Sequence, residues 1–262
     1  MQRKINKSKW TKHALFQQDP QIAGSLPDTR VFNEQNFLSM LQLHKTIVLK
    51  PTGGAKGRGI IKVAALGKQA LEIHYNDMKV IVNGVQKAYD KISQKIGTTA
   101  YIIQRYITLA TVEDRPIDFR VMVQRTKETP WQVTGKVAKI AGVGYFVTNN
   151  CQSNGTAVPV EEAVERSNIN PSKKETVIER METLAIKAVQ LLERYYPEIV
   201  IIGFDIGVDE SGGLWLIEAN VYPGLSLFRK LEDKTMLRRI LEIKRQNSTM
   251  KPLTKKSIKK TR

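Results

Sequence analysis

Cysteine is nearly missing from this chain: Cys151 stands alone, which excludes an internal disulfide and fits a reducing compartment. It sits in a polar stretch with no matched histidine and base, so no thiol nucleophile is expected. No apolar run approaches the roughly 20 residues that span a bilayer. The N-terminus has no apolar segment of the kind that drives secretion, so a cytoplasmic protein is expected. Two phosphate-site signatures are missing as well. No Gly-Lys-Ser/Thr follows a glycine-rich loop, which excludes a Walker A site, and no His-Arg-Asp or Asp-Phe-Gly triplet occurs, which disfavours a protein kinase.

Acidic residues are missing from both ends. Residues 1–13 carry five Lys/Arg and residues 244–262 carry eight, with no Asp or Glu in either. Thirteen of the seventeen net positive charges lie there, and the body between holds 29 basic against 25 acidic residues. Such like-charge blocks are expected to be solvated tails able to bind a polyanion without sequence preference. The body itself is no basic platform, so a nucleic-acid-binding protein rests on the tails alone.

What is present centres on Val200–Gly224. Two apolar, β-branched runs flank Asp209-Glu-Ser-Gly-Gly213, the pattern of a hairpin. A two-residue turn at Ser211-Gly212 places Asp205 opposite Glu218, and a turn at Gly212-Gly213 keeps both on one face. A three-residue loop would flip them. On the favoured turns Asn220 joins that face while Ile217 and Ala219 point away, and Asp209 is a turn residue without chemistry. Two close carboxylates repel, and a hard divalent cation such as Mg²⁺ or Mn²⁺ relieves that repulsion with all-oxygen ligands. The alternative is a solvent-facing hairpin whose acids only solubilise it.

Upstream, Thr46–Lys50 reads as a strand, Pro51–Gly59 as a glycine-rich loop and Ile60–Ala64 as a second strand. Glycines 53, 54, 57 and 59 let backbone N–H groups approach an anion, with Lys50 reaching the same anion from the strand end. Short helices are expected over Asn33–His44, capped by Asn33, and over Val85–Ile96. Tyr101–Ile107, Ile117–Gln124 and Trp131–Ala141 read as strands; the second places Asp118 and Arg120 on one face. Asn170-Pro171 starts the longest helix, whose apolar stripe runs to Tyr195, and Arg229–Lys244 is a final amphipathic helix.

Lys50-Pro51 with its glycine-rich loop, Gln104-Arg-Tyr-Ile107, Asp118-Phe-Arg120, and Asp205…Glu218-Ala-Asn220…Pro-Gly224 follow one another in an order that resembles the ATP-grasp superfamily. Ser8-Lys-Trp-Thr-Lys12, Leu26-Pro-Asp-Thr29 and Gly57-Arg-Gly-Ile60 are most similar to its YheC/YheD, endospore coat-associated branch. The resemblance covers roughly residues 8 to 228.

It implies an α+β fold in which two subdomains sandwich ATP. Residues 1–20 would form a basic arm, 21–100 the subdomain with the glycine-rich loop, 101–243 the subdomain with the metal site, and 244–262 a basic tail. By the same resemblance Lys50, Gly54, Gly57 and Gly59 hold the phosphates, and Gln104, Arg105, Tyr106 and Ile107 form the adenine hinge. Asp118 and Asn149 match nucleotide-binding positions, and Asp205, Glu218 and Asn220 match ligands of Mg²⁺ or Mn²⁺. Arg120 and Lys139 match residues that stabilise the transferred phosphoryl group. The chain departs from the family at Lys139, which stands where an arginine is common and cannot make a bidentate fork. It departs again at Asn154-Gly155, where a glycine pair is expected.

The implied activity is ATP- and Mg²⁺-dependent carboxylate–amine ligation through an acylphosphate, on an unidentified carboxylate, amine or peptide acceptor. The roughly 30 residues before the first expected helix leave no room for a separate substrate domain. The other implied reading is a nucleotide-binding structural protein of the spore surface, with basic tails on a polyanionic layer.

Overall fold

The computed structural model describes residues 8–54, 58–67, 69–75, 78–146, 148 and 155–249. Expectations resting on Gly57, Asn149, Cys151, Asn154 and residues 250–262 lie outside them.

The described chain opens with two short helices, Lys9–Phe16 (α1) and Pro20–Ala23 (α2). Thr29–Val31 (β1), Thr46–Pro51 (β2), Ile61–Gly67 (β3), Ala70–Tyr75 (β4), Met78–Asn83 (β5) and Tyr101–Arg105 (β6) then build an antiparallel sheet in the order β1-β6-β2-β3-β4-β5. Alternation along β2 sends Ile47 and Leu49 into a core with Phe37 and Met40 of Glu34–His44 (α3) and Ile92 of Val85–Ile96 (α4). Lys50 belongs to the opposite face. Asn33 caps α3 as expected, its Oδ1 accepting from the Asn36 N–H at 2.8 Å. The division expected at residue 101 does not follow the sheets: β6 pairs with β1 and β2, so the first sheet runs through Arg105. Chain order alone cannot reveal which neighbours a strand takes.

The second sheet contains Arg115–Gln124 (β8), Gln132–Ile140 (β9), Thr156–Val158 (β10), Ile201–Val208 (β11) and Leu214–Asn220 (β12), ordered β10-β9-β8-β11-β12. Thr111–Val112 (β7) pairs with the start of β8. One face buries Phe119, Val121, Phe204 and Ile206 against Val160–Arg166 (α5) and Pro171–Tyr195 (α6). The α6 stripe of Val177, Met181, Leu184, Ala185, Ala188 and Leu192 is that core's other half, and Asn170 caps the helix through the Ser172 N–H at 3.0 Å. The other face packs Met122 and Val137 under Phe228 and Ile240. These belong to Ser226–Lys230 (α7) and Thr235–Thr249 (α8), into which the expected final helix divides. Asp233 Oδ1 takes the Thr235 N–H at 2.8 Å and restarts the helix.

Both basic ends are more structured than their charge implied. From Lys9 onward the N-terminal arm is helical, and Phe16 is buried with its ring centroid 6.5 Å from that of Phe204. Lys12 is also buried and donates to the Ala219 carbonyl. At the other end α8 runs to Thr249, and Asn247 Nδ2 donates to the Arg125 carbonyl at 2.9 Å, so residues 244–249 belong to the fold. At the N-terminal end a basic count overlooks the apolar side chains of α1; residues 244–249 hold none and continue α8 past the buried Ile240 and Ile243. Burying those side chains outweighs solvating the backbone.

Candidate functional site

The inner faces of the two sheets meet across a cleft. One wall carries Lys50 and Gln104, the other carries Asp118, Lys139, Asp205 and Glu218, and Arg105, Tyr106 and Ile107 line the cleft where the chain crosses between them. Gly54 lines the end nearest the glycine-rich loop. Ten of the residues expected in the site are thus gathered on one cavity. Arg120 and Asn220 stand behind it, bonded to Asp205. Gly59 lies outside the lining, its carbonyl accepting from the Tyr101 hydroxyl at 3.0 Å.

The hairpin reaches the expected pairing by an unexpected route. Gly212 N–H donates to the Asp209 carbonyl at 2.9 Å, Asp209 N–H donates to the Gly213 carbonyl at 3.0 Å, and Gly212 has φ +81°. This is a three-residue loop with glycine in the left-handed position. Such a loop alone would place Asp205 opposite Ile217. A bulge between Asp205 and Ile206 inserts one residue in β12, so Ile206 pairs with Leu216 while Asp205 pairs with Glu218. The bulge also overturns the expected facing of Ile217, which lines the cleft beside Glu218, while Ala219 is buried in the core. Gly207 provides the room: a Cβ there would stand 2.5 Å from Leu109 Cδ2 and 2.8 Å from Ile217 Cδ1.

Asp209 is the organiser of that loop rather than a passive turn residue. Its Oδ1 accepts from the Gly213 N–H at 2.8 Å and the Ser211 hydroxyl at 2.6 Å, and its Oδ2 accepts from Trp215 Nε1 at 2.7 Å.

Cross-strand neighbours set the electrostatics. Asp205 faces Arg120 across β11–β8, and Asp118 faces Lys139 across β8–β9. Arg120 forks onto Asp205 through Nε at 2.8 Å and Nη2 at 2.9 Å, and Asn220 Nδ2 adds a third donor at 3.2 Å. Lys139 Nζ lies between two acids, 2.8 Å from Asp118 Oδ1 and 3.0 Å from Asp205 Oδ1. Lys139 is buried, not a surface lysine. Burial favours its neutral form, but Asp118 and Asp205 reverse that and hold its pKa above the ordinary lysine value. For Asp205 burial again opposes charge, but Arg120 and Lys139 hold it well below the usual carboxylate range. Asp118 has burial as its largest influence and goes the other way, its pKa raised despite Lys139 and a 2.5 Å hydrogen bond from Thr148. Asp118 is therefore the more easily protonated of the two.

At the loop end Lys50 Nζ donates to Gln104 Oε1 at 2.6 Å, and Gln104 Nε2 donates to Thr29 Oγ1 at 2.9 Å. The Gln104 side chain thus aims Lys50 and is itself aimed by β1. Burial lowers the Lys50 pKa to about 8 against the pull of Glu218, Asp205 and Asp118.

The oxygen donors suit a hard divalent cation: two carboxylates opposed in register, with the Asn220 amide beside them. Among the described residues no group of three His, Cys, Asp or Glu side chains forms a metal cage. Asp205 already has its charge balanced by Arg120 and Lys139, whereas Glu218 has Lys9 Nζ at a longer 3.4 Å. Glu218 is the more available ligand, and a cation reaching Asp205 has to displace Lys139 or share its oxygen. Sequence reasoning missed Lys9, Leu109, Thr148 and Ile217. The Ser8–Lys12 segment carries part of the family resemblance, but a charge count assigns its lysines to a solvated tail.

Two mixed lobes, each a sheet backed by helices, enclosing a cleft lined by lysines and paired acids, define the ATP-grasp fold. The chain belongs to the YheC/D-like ATP-grasp family, whose profile matches residues 3–246. Endospore coat-associated protein YheD of Bacillus subtilis (strain 168) is 27% identical over 227 residues, covering 84% of this chain and 49% of that protein. Endospore coat-associated protein YheC of the same organism is 25% identical over 221 residues, covering 82% and 60%. The chain therefore spans about half to three-fifths of the length of these relatives. Among solved structures, D-alanyl-alanine synthetase A from Vibrio cholerae matches with a TM-score of 0.54 at 14% identity, over 93% of this chain and 64% of that one. D-alanine–D-alanine ligase from Bacillus anthracis, complexed with ATP, matches with a TM-score of 0.52 at 12% identity, over 93% and 67%. At these identities the likeness shows the fold alone. No helix among the described residues is long and apolar enough to cross a membrane.

Proposed function

We propose that this chain binds ATP with Mg²⁺ in the cleft and uses it for carboxylate–amine ligation. The observation that carries the reading is the convergence, from strands of both sheets, of Lys50, Asp118, Lys139, Asp205 and Glu218 on one cavity. Lys50 and the backbone of the glycine-rich loop would hold the phosphates. Ile217, Leu109 and the Tyr106–Ile107 segment would hold adenine. Glu218 and Asn220, with Asp205, would hold Mg²⁺, which when bound neutralises phosphate charge. Gln104 orients Lys50, and the Asp118–Lys139–Asp205 chain keeps a cation fixed in a low-dielectric wall, where its field acts strongly on developing negative charge. The acceptor carboxylate would take the γ-phosphoryl group, and an amine would displace phosphate from the acylphosphate.

A second reading, a nucleotide-binding structural protein with little turnover, is favoured by one observation. Arg120 and Lys139, the side chains assigned to phosphoryl transfer, both already bond Asp205. Association with an endospore coat, as the names of both relatives state of those proteins, belongs to the proposal under either reading. Binding of the basic ends to an anionic layer belongs to it too. The test is ADP and phosphate release with candidate carboxylates, amines and peptides, alongside ATP–Mg²⁺ and GTP–Mg²⁺ thermal shifts. Acceptor-dependent release supports ligation. A shift with ATP but no release under any acceptor supports the structural reading, and no shift at millimolar ATP–Mg²⁺ removes both.

A further inference from the structure

The two sheets have four edge strands, and three of these are short or engaged. β1 and β10 have three residues each. On β12 the Leu216 N–H donates to the Ser25 carbonyl at 2.7 Å, and Lys12 reaches the Ala219 carbonyl. β5 is six residues long and forms the outer edge of the first sheet. The Gly84 N–H donates to the Gln69 carbonyl at 2.9 Å, in line with the register that pairs Val82 with Leu71 and Val80 with Ile73. Hydrogen-bonded pairs alternate along an antiparallel ladder, so Val80 and Val82 bond inward to β4. The N–H and C=O groups of Lys79, Ile81 and Asn83 therefore point outward. Among the described residues nothing bonds those outward groups. The Ile81 residue is also 66% exposed. A long edge of this kind, with one lysine and an exposed isoleucine, is a template for pairing.

We propose that β5 pairs antiparallel with β5 of a second copy of this chain, joining two first sheets across a two-fold axis at Ile81. The proposal stands apart from the nucleotide reading. Self-complementarity selects the occupant. With Ile81 opposite the partner's Ile81, the two residues exchange both of their outward hydrogen bonds, and Lys79 does the same with the partner's Asn83. That register brings the apolar Ile81 side chains together and keeps Lys79 opposite a neutral amide. Centring the axis on Lys79 would instead oppose two like charges. α4 flanks this edge, and the groove between them is lined by Lys87, Asp90, Lys91 and Gln94. An antiparallel repeat of that row sets Asp90 beside the partner's Lys91. A two-fold interface needs such a match, because one surface has to fit itself.

The test is sedimentation of the full chain from micromolar to submillimolar concentration, with far-UV circular dichroism as the check on folding. The wild type is expected to dimerise, with the modest affinity of a small interface. Ile81→Lys and Ile81→Glu each set like charges opposite one another and are expected to raise the dimer dissociation constant at least about tenfold. An equimolar mixture of these two variants is expected to regain the dimer, because an axis at Ile81 opposes their unlike charges. Ile81→Pro is expected to keep the fold, since the N–H it removes is not bonded to β4, and to abolish the dimer. A wild type that stays monomeric throughout, a dimer indifferent to Ile81→Lys, or charged variants that stay apart when mixed would each overturn the proposal. A monomer that dimerises only after truncation at Thr249 would assign the edge to the chain's own residues 250–262, and would overturn it as well.

Discussion

Asp205 and Glu218 stand directly opposite each other across β11 and β12, but they share little of their electrostatic surroundings. Asp205 is buried under an arginine fork and a lysine, while Glu218 is partly exposed with one lysine at 3.4 Å. Two acids paired by register therefore differ in charge balance: Asp205 is neutralised in place by two buried cations, while Glu218 faces one lysine at longer range.

That asymmetry makes the two neutralising substitutions behave differently. Asp205→Asn leaves Arg120 and Lys139 buried with only Asp118 to balance them, and it is expected to cost about 3 kcal/mol or more whether or not Mg²⁺ is present. Glu218→Gln removes an exposed partner, so stability is expected to change little while Mg²⁺-dependent ATP affinity falls. Thermal melts and calorimetry on both variants, with and without Mg²⁺, check this; equal destabilisation by the two would contradict it.

Asp209→Asn keeps one acceptor oxygen but turns an N–H toward Trp215 Nε1. The expected loss is about 1 kcal/mol, the scale of one hydrogen bond, with Trp215 emission shifted as its indole N–H loses its acceptor. Chemical denaturation followed by tryptophan fluorescence measures both at once. An unchanged midpoint would mean that the loop closes without this residue.

Lys50 and Lys12 have folded-state pKa values lowered by burial to about 8, against 10.5 ordinarily. Between those values the unfolded chain binds more protons, so nucleotide-free stability is expected to rise with pH, complete above about 10.5 and lost as pH falls through about 8. Lys50→Met removes part of that slope. Polyphosphate favours the charged lysine, so ATP binding near pH 8.5 is expected to take up protons. Calorimetry in buffers of different ionisation enthalpy reads the uptake, and proton release would reverse the assignment.

Truncation after Thr249 is expected to leave the melting temperature unchanged and to weaken salt-dependent binding to heparin, since residues 250–262 carry six Lys/Arg. Truncation after Ile243 also removes the Asn247 bond to the Arg125 carbonyl and the last turn of α8, so it is expected to lower the melting temperature. Identical melting of both truncations would show that the last turn adds nothing.

The sequence by itself determined the local elements and the order of the motifs. Asn33 and Asn170 mark helix starts because their side chains accept from a backbone N–H two or three residues on, a relationship contained within a few residues. Alternation places Asp118 with Arg120 on one face of β8, and the expected two-residue turn places Asp205 opposite Glu218. The three-residue loop and its compensating bulge were not legible, because each reverses the other's effect on facing and only the pair preserves it. Nor was the choice of partners among the charges. Arg120 meets Asp205 across 85 residues of chain and Lys139 meets it across 66, while Lys9 reaches Glu218 from the opposite end of the chain. Which cation neutralises which acid depends on distance and on water exclusion, and both are set only when the two sheets and α1 close around the cleft.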